Sequence, residues 1–401
     1  MGAILLTAFA ARLAWVFWVG FDPEIANIDA RVYHLSAQQF AAGCGYCEPR
    51  GDPAIFFPPG YPGFLGILYW VFGSHALVGQ IANALLTTLN AGLVFLIARQ
   101  AYDGRWAAVA AAALYAFLPS NAMFSSLLMS EPLFTTMLLL VLLLALRGAP
   151  PIVVGALVGL SALVRGQGLV LLVPVTVLAV LRSGWRPSLR QYVLPMAIAA
   201  LIVLVPWTVR NYVQFDSFVL ISTGQADALY RGNRDGAQGP PLSDPADREE
   251  LRDPIEAYDY KMDVVRNFIR DNPLSFFVTL PPRKLYYMYD ADSFHVFGNR
   301  VASPRQDNAV AWQVVGQVTQ LGYGSLFALA VVSAPVWYRR TPEAVMLVVL
   351  FGVWTLAHLA FFGFGRFHFP VMPVWAIWAG TGVAVLWSGA RQPEEPNGES
   401  G

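Results

Sequence analysis

The chain has 401 residues, is 56% hydrophobic and only 13% charged, and has a mean hydropathy of +0.50 and a formal net charge of zero. A soluble domain of this length does not carry so many long apolar runs. The balanced charge offers no basic face to nucleic acid, so no nucleic-acid partner is expected. The composition predicts an all-α polytopic membrane protein, because a bilayer-spanning backbone must satisfy its own hydrogen bonds.

Apolar runs along the chain predict about ten transmembrane helices, since roughly 20 apolar residues cross a bilayer as a helix. The predicted spans are 3–20, 76–98, 105–119, 130–147, 151–164, 167–182, 192–209, 313–337, 343–362 and 369–388. With this count, the arginines of the short connectors and of the tail all fall on one side. They are Arg99, Arg105, Arg147, Arg182, Arg186, Arg190, Arg339, Arg340 and Arg391. The positive-inside rule makes that side, and both termini, cytoplasmic.

The spans divide the chain into four regions. These are an N-terminal transmembrane module over 1–209 with a first outer loop at 21–75, an extracytoplasmic loop region over 210–312, C-terminal transmembrane helices over 313–390, and a disordered cytoplasmic tail over 391–401. The region 210–312 holds more than half of the charged residues, including both lysines. Within it, 247–271 predicts a soluble helix, and 273–289 predicts an interfacial helix whose cations extend toward lipid headgroups.

Several polar residues that interrupt apolar stretches fall on the predicted outer face. They are Asp29 and Tyr33 after the first span, Glu131 at the start of the fourth, Arg165 between the fifth and sixth, Arg210 at the end of the seventh, Asn233 and Lys284 in the loop region, and Arg366 and His368 at the start of the tenth. Acids and arginines together at a membrane surface suit a lipid-linked phosphate, because guanidinium groups pair bidentately with phosphate oxygens. A carboxylate can take the proton from an attacking hydroxyl as a sugar leaves its phosphate.

Each of these residues also has an ordinary structural explanation. Asp29 could be a loop acid or helix cap, and Glu131 suits the first turn of a helix, where the dipole favours an acid. Arg165 and Arg210 could anchor helix ends to headgroups, and Lys284 could extend toward them. These explanations do not predict that the residues share one face.

The first outer loop contains two short motifs. Phe57-Pro-Pro-Gly-Tyr-Pro62 predicts a rigid turn that could shape a cleft beside Asp29, because proline fixes φ. Cys44-Gly-Tyr-Cys47 predicts a local disulfide if the loop lies in an oxidising compartment. Two cysteines alone make a poor zinc site. The sequence contains no P-loop and no dinucleotide-binding fingerprint.

These residues together resemble a known family. The motifs are Asp29-Ala-Arg-Val-Tyr33, the Phe57–Pro62 turn, Ser130-Glu-Pro132, Pro206-Trp-Thr-Val-Arg-Asn-Tyr212, Gly232-Asn233 and Gly365-Arg-Phe-His-Phe-Pro370. In this order, over roughly 20–380, the chain resembles the GT-C superfamily of polyprenyl-phosphate-sugar-dependent glycosyltransferases. The nearest group is that of bacterial protein O-mannosyltransferases and lipid A aminoarabinose transferases, which are similar to glycosyltransferase family 39.

The resemblance implies a GT-C-like helix bundle whose extracytoplasmic loops carry interfacial helices, in a bacterial inner membrane. It implies hexosyl or pentosyl transfer from a polyprenyl-phosphate sugar to a lipid, glycan or protein acceptor. It points to Asp29 as the base or as a carboxylate that binds the acceptor, and to Arg366 as the phosphate ligand, with Arg210 and Lys284 as further candidates. Relatives often have Asp-Glu where this chain has Asp29-Ala30, so Glu131 is the candidate for a second acid.

The resemblance leaves the question of a cofactor open. Some relatives hold a divalent metal near the site. This chain has only five histidines and offers no clear ligand set. The sequence therefore predicts no metal ligand and no certain cofactor.

Two other classes of protein compete with the enzyme. A lipid-linked sugar flippase or small-solute transporter would need functional polar groups at the bilayer midplane. The predicted span interiors are nearly free of charge, which favours an interfacial enzyme. A scaffold that binds a partner through 210–312 would leave the arginines at the membrane edge unexplained.

Overall fold

The computed structural model describes residues 1–26, 29–48, 50–102, 104–243, 253–338 and 340–389. Within these ranges the chain forms helices and no β-strand, apart from one isolated bridge between Cys47 and Pro53. The tail 391–401, predicted to be disordered, lies outside the described residues. So do residues 247–252 at the start of the predicted soluble helix.

Nineteen α-helices occur in the described part of the chain. The first ten are α1 (Gly2–Val19), α2 (Asp29–Ala41), α3 (Gly60–Phe72), α4 (Ala76–Ala101), α5 (Arg105–Ala116), α6 (Pro119–Ser126), α7 (Glu131–Leu146), α8 (Pro151–Val164), α9 (Leu172–Ser183) and α10 (Trp185–Ser188). The others are α11 (Leu194–Phe215), α12 (Gly224–Gly232), α13 (Pro254–Asp271), α14 (Leu280–Tyr289), α15 (Phe294–Val301), α16 (Ala309–Val332), α17 (Ala334–Trp337), α18 (Pro342–Leu359) and α19 (Met372–Gly389). Short 3-10 helices cover Gly166–Leu171 and Gly365–Val371, and π-helical turns cover Leu189–Val193 and Ser275–Thr279.

Seven or eight of the ten predicted spans coincide with helices that could cross a membrane. In the described residues, seven helical stretches are long and apolar enough to cross a membrane, or eight if α5 and α6, bent by 48°, form one span. The two remaining predicted spans coincide with the shorter apolar helices α7 and α8, which have 16 and 14 residues. The prediction of an all-α polytopic membrane protein is therefore confirmed.

Proline and glycine set several of the helix ends. Gly20 ends α1 in the left-handed conformation with φ of 57°, which glycine adopts without steric penalty. Pro119 and Pro151 stand in the first positions of α6 and α8, where a missing N–H is tolerated.

The core surrounds α7, which is buried on almost all sides.

One charge lies inside a span, which the sequence analysis missed. Arg12 of α1 is 1% exposed. Its Nε donates to Thr87 Oγ1 at 2.9 Å and its Nη1 donates to the Ala8 carbonyl at 2.9 Å. The interior of span 1 is therefore not free of charge, and the arginine joins α1 to α4 by hydrogen bonds that the membrane strongly favours.

Three connectors that the sequence assigns to the cytoplasmic side meet at one end of the bundle. Arg182 forms an ion pair with Glu343 at 2.7 Å and also donates to the Leu146 carbonyl at 3.0 Å. Leu146 and Arg182 lie at the ends of the fourth and sixth predicted spans, and Glu343 begins the ninth. Their contact is consistent with the predicted alternation of the spans, which stays a prediction.

The interfacial segment before and within α14 is amphipathic, but one of its cations behaves differently from the prediction. Leu274 and Phe277 are each 67% exposed, as an interfacial helix requires. Lys284 is fully buried instead of extending to headgroups. Its ammonium donates to Asn233 Oδ1 and to the Leu359 carbonyl, because α14 packs this face against the protein.

Candidate active site

A cavity of about 190 Å³ lies where the ends of several helices meet the outer loops. Four of the predicted site residues line it, namely Asp29, Tyr33, Arg165 and Arg366. They come from four separate places in the chain. The fold therefore brings together four residues that the motifs singled out. Their roles stay predictions.

The acids and arginines beside the cavity form one connected cluster. Arg366 Nη1 lies 2.7 Å from Asp29 Oδ2, and Arg366 Nε lies 3.5 Å from Glu131 Oε1. Arg165 Nη1 lies 2.8 Å from Glu131 Oε1 and donates to Ser130 Oγ at 2.9 Å. Two acids and two arginines leave the cluster with no formal net charge.

Exposure separates the two acids. The Asp29 side chain is 28% exposed and faces the cavity, whereas the Glu131 side chain is fully buried and does not line it. A buried carboxylate needs paired charges, and both arginines supply them. Glu131, predicted as a second catalytic acid, thus holds the two guanidinium groups in place.

Helix ends explain why these four side chains meet beside the cavity. Asp29 is the first residue of α2, and Glu131 is the first residue of α7. Arg165 is an extended residue between α8 and the 3-10 helix Gly166–Leu171. Arg366 lies in the second 3-10 helix, directly before α19. Each polar side chain thus lies at or next to the end of a helix, where it can join the cluster instead of facing lipid.

Aromatic side chains shape the same cavity. Tyr33 packs against Phe57 and Tyr61, with ring centroids 4.8 and 5.1 Å apart. Phe57 and Pro58 line the cavity, as the rigid-turn interpretation expects. Burial, and then the negative charge of Asp29, raise the pKa of Tyr33. Its hydroxyl therefore stays protonated at neutral pH and can donate a hydrogen bond.

Helix α12 forms a wall that the sequence analysis missed. Asp227 and Arg231, one helical turn apart, both line the cavity, as does Gln225. A Cβ on Gly166 would lie 1.8 Å from Gln225 Nε2, so a larger residue there would displace the end of the Gln225 side chain. The spacing of Asp227 and Arg231 was the available signal, because residues four apart share a helix face.

Three other predicted site residues do not line the cavity. Arg210 donates to the carbonyls of Ala54 at 2.7 Å and Tyr46 at 3.2 Å, and so holds the first outer loop. Asn233 donates to the Ala360 carbonyl at 2.7 Å and accepts from the buried Lys284 at 2.6 Å. These contacts fasten the end of α12 to the segment that precedes Arg366.

His368 also lies away from the cavity, in a buried cluster. Its Nε2 lies 3.2 Å from Asp292 Oδ1, and His295 Nδ1 lies 3.4 Å from the same oxygen. Ser120 donates to the other oxygen of Asp292. Burial would raise the pKa of Asp292, but the two histidines and the serine together hold it below its ordinary value. The cluster joins α6 and α15 to the 3-10 helix that carries Arg366.

The donor set does not fit a divalent metal. Across the described residues, no three side chains of His, Cys, Asp or Glu come together as metal ligands. The carboxylates of Asp29 and Glu131 are bridged by the guanidinium group of Arg366 instead. No metal is therefore assigned to this site.

Comparison with known proteins identifies the class of fold. Residues 57–209 match the family model described as dolichyl-phosphate-mannose-protein mannosyltransferase. The oligosaccharyltransferase of Archaeoglobus fulgidus, tethered with an acceptor peptide, matches with a TM-score of 0.54 and 15% identity over 96% of this chain and 49% of that one. The same enzyme, AglB, with an inhibitory peptide and a dolichol-phosphate matches with a TM-score of 0.51 and 16% identity, over 96% and 50%.

A third solved structure is more distant in shape. ArnT from Cupriavidus metallidurans bound to undecaprenyl phosphate matches with a TM-score of 0.47 and 18% identity, over 96% of this chain and 78% of that one. A comparison with curated protein sequences finds no significant match. The chain spans about half the length of the archaeal oligosaccharyltransferase that it matches.

The predicted GT-C-like helix bundle is confirmed as a fold, because the chain matches the archaeal oligosaccharyltransferase over 96% of its own length. The predicted resemblance to the dolichyl-phosphate-mannose-protein mannosyltransferase family is confirmed over residues 57–209.

Proposed function

We propose that the chain is an integral membrane glycosyltransferase that moves a sugar from a polyprenyl-phosphate donor to an acceptor hydroxyl. The observation that carries the proposal is the cavity in which Asp29 lies beside Arg165 and Arg366. A partly exposed acid next to guanidinium groups combines a proton acceptor with ligands for phosphate. The family match and the fold support the same chemistry.

Asp29 acts as the base in this mechanism. Its Oδ2 is held by Arg366, whereas Oδ1 accepts no hydrogen bond from a described residue. Asp29 takes the proton of the acceptor hydroxyl, and the hydroxyl oxygen bonds to the anomeric carbon of the sugar. The bond from that carbon to the phosphate oxygen breaks, and its electron pair leaves with the polyprenyl phosphate. Attack opposite the leaving group inverts the anomeric centre.

Arg366 has two tasks in the proposal. It orients Asp29 through the 2.7 Å ion pair, and it presents positive charge to the departing phosphate. Its position is fixed from behind by the buried carboxylate of Glu131. Preorganised charge of this kind stabilises the transition state without having to rearrange during the reaction.

An apolar groove of about 860 Å³ offers room for the donor's lipid tail. It lies between α14, α16, α18 and α19 and is lined by Tyr289, Phe351 and Trp375, among others. Tyr289 stacks on His368, with their ring centroids 5.9 Å apart. His368 follows Arg366 by two residues, so one end of the groove lies near the segment that carries Arg366. A polyprenyl chain in this groove would bring its phosphate toward the cavity and bury apolar surface.

The proposed location is the extracytoplasmic face of a bacterial inner membrane. The predicted arrangement of arginines places the cavity opposite the cytoplasmic connectors. Cys44 and Cys47 form a disulfide in the first outer loop, and disulfides persist in oxidising compartments. The region 210–312 would supply outer walls such as α12. Hexoses and pentoses are both candidate sugars, and a lipid, glycan or protein could be the acceptor.

Replacing Asp29 by Asn tests the role of the base. We expect Asp29→Asn to lower the rate of sugar transfer by about 10²- to 10⁴-fold, because an amide cannot accept the proton. The measurement is transfer of labelled sugar from a polyprenyl-phosphate hexose or pentose by purified protein in liposomes.

A surface acid provides the matched control. Asp263 is exposed on α13, and Arg266 is its only ion-pair partner among the residues that the structure describes. Asp263→Asn should therefore retain the wild-type rate. Near-normal turnover by Asp29→Asn in the same assay would remove Asp29 from the mechanism.

A further inference from the structure

The cations around the cavity differ in whether an acid already neutralises them. Arg165 and Arg366 are both paired with Glu131, and Arg366 is also paired with Asp29. A phosphate that approaches these arginines also meets two carboxylates. The attraction that the cluster can offer to an added anion is correspondingly reduced.

Arg231 of α12 is different. It lines the cavity, and its Nε donates to the Leu242 carbonyl at 3.0 Å. The guanidinium carbon lies 5.6 Å from the centroid of the Phe362 ring, which also lines the cavity. Among the residues that the structure describes, no carboxylate lies within ion-pair distance of Arg231. Asp227, one turn earlier on α12, pairs with Lys261.

The reaction creates a need for such a cation. The donor is a phosphodiester with one negative charge, and its departure yields a phosphate monoester that gains a second charge as the sugar bond breaks. Charge that develops in the transition state is best met by a cation without a competing acid. A guanidinium group can donate two parallel hydrogen bonds to such a phosphate.

We propose that Arg231 is a phosphate ligand that neutralises the charge developing on the leaving polyprenyl phosphate. This rests on the proposed function and extends it. Arg366 orients the base on one side of the cavity, and Arg231 receives the leaving group from the wall formed by α12. The Leu242 carbonyl and the Phe362 ring anchor the guanidinium group, and no described residue accepts a hydrogen bond from either terminal nitrogen of Arg231.

Binding of three probes to the full chain in detergent tests the inference. The probes are undecaprenyl phosphate, its methyl ester, which is a diester with a single charge, and uncharged undecaprenol. We expect Arg231→Gln to lower the affinity for undecaprenyl phosphate by about tenfold or more. The methyl ester should lose less affinity, and undecaprenol should be unaffected.

Arg234 provides the matched control. It lies just past the end of α12, stacks on Tyr230, and does not line the cavity. Arg234→Gln should bind all three probes like the wild type. If Arg231→Gln does not fold, Arg231→Lys decides the question. Weaker binding of undecaprenyl phosphate at an unchanged melting temperature supports the inference, because lysine cannot donate the parallel pair.

The outcomes separate this inference from the proposed function. If the wild type transfers sugar but the Arg231 variants bind undecaprenyl phosphate normally, Arg231 is not the phosphate ligand. The proposed glycosyltransferase function then still stands. If the wild type binds undecaprenyl phosphate no better than undecaprenol and transfers no sugar, the proposed function fails, and this inference fails with it.

Discussion

Individual charged residues in this protein are stabilised by different kinds of neighbour. Asp29, Glu131, Arg165 and Arg366 form ion pairs with each other, and their two acids and two arginines leave the cluster with no formal net charge. Removing one member of such a group leaves an unpaired buried charge, which is strongly destabilising. Within the described ranges no acid pairs with Lys284, whose ammonium donates to two neutral acceptors, Asn233 and the Leu359 carbonyl.

The buried Lys284 predicts a pH dependence of stability. Burial lowers its pKa from the ordinary value of 10.5 to about 8. Between these pH values the unfolded chain still holds the proton that the folded protein has released. The free energy of unfolding therefore rises with pH in this window, and protonated Lys284 destabilises the fold by roughly 3 kcal/mol below it.

Melting temperatures in detergent at pH 7.5 and 9.5 check this expectation. The wild type should gain stability at the higher pH relative to Lys284→Met, which has no group that titrates at this position. An identical pH dependence in the two proteins would show that Lys284 does not carry a depressed pKa.

At the scale of elements, α12 is held tightly against the segment that leads to Arg366. A Cβ on Gly232 would lie 2.0 Å from the Phe361 carbonyl oxygen, and Asn233 donates to the neighbouring Ala360 carbonyl. This contact sets the position of the wall that carries Asp227 and Arg231. Helix α12 therefore needs glycine at its last residue, Gly232.

Gly232→Ala tests that contact. Because both partners are backbone atoms, α12 must move, and we expect a lower melting temperature by an overpacking penalty of about 1–3 kcal/mol. Affinity for undecaprenyl phosphate should fall with it. The control Gly324→Ala in α16, where a Cβ meets nothing within 4 Å, should be neutral or slightly stabilising. A Gly232→Ala protein that melts and binds like the wild type would contradict this role of α12.

Sequence alone predicted the spans and much of the cavity for a physical reason. Polar residues such as Asp29, Glu131 and Arg366 stand out where apolar runs end. Arg231 did not stand out, because 210–312 is rich in charge throughout. Lys284 was misplaced because its burial depends on how α14 packs, which no local pattern encodes. Arg12 was missed because its partner Thr87 lies on another helix.

For the whole molecule, the distribution of charge favours the proposed enzyme over a transporter. The cluster with Asp29 lies at the ends of helices, beside the cavity in which we propose that a lipid phosphate and an acceptor meet. Alternating access would need functional polar groups at the midplane. The charge found inside span 1, Arg12, is bound to α1 and α4 by hydrogen bonds and acts as a structural link.

The central claim is that the donor's sugar–phosphate bond breaks as the acceptor is glycosylated. The most direct measurement follows both products in sealed proteoliposomes that contain the wild type, a labelled polyprenyl-phosphate sugar and an acceptor. We expect one polyprenyl phosphate to be released for each glycosylated acceptor. Movement of the labelled sugar across the bilayer with the donor bond intact would contradict the account and identify a transporter.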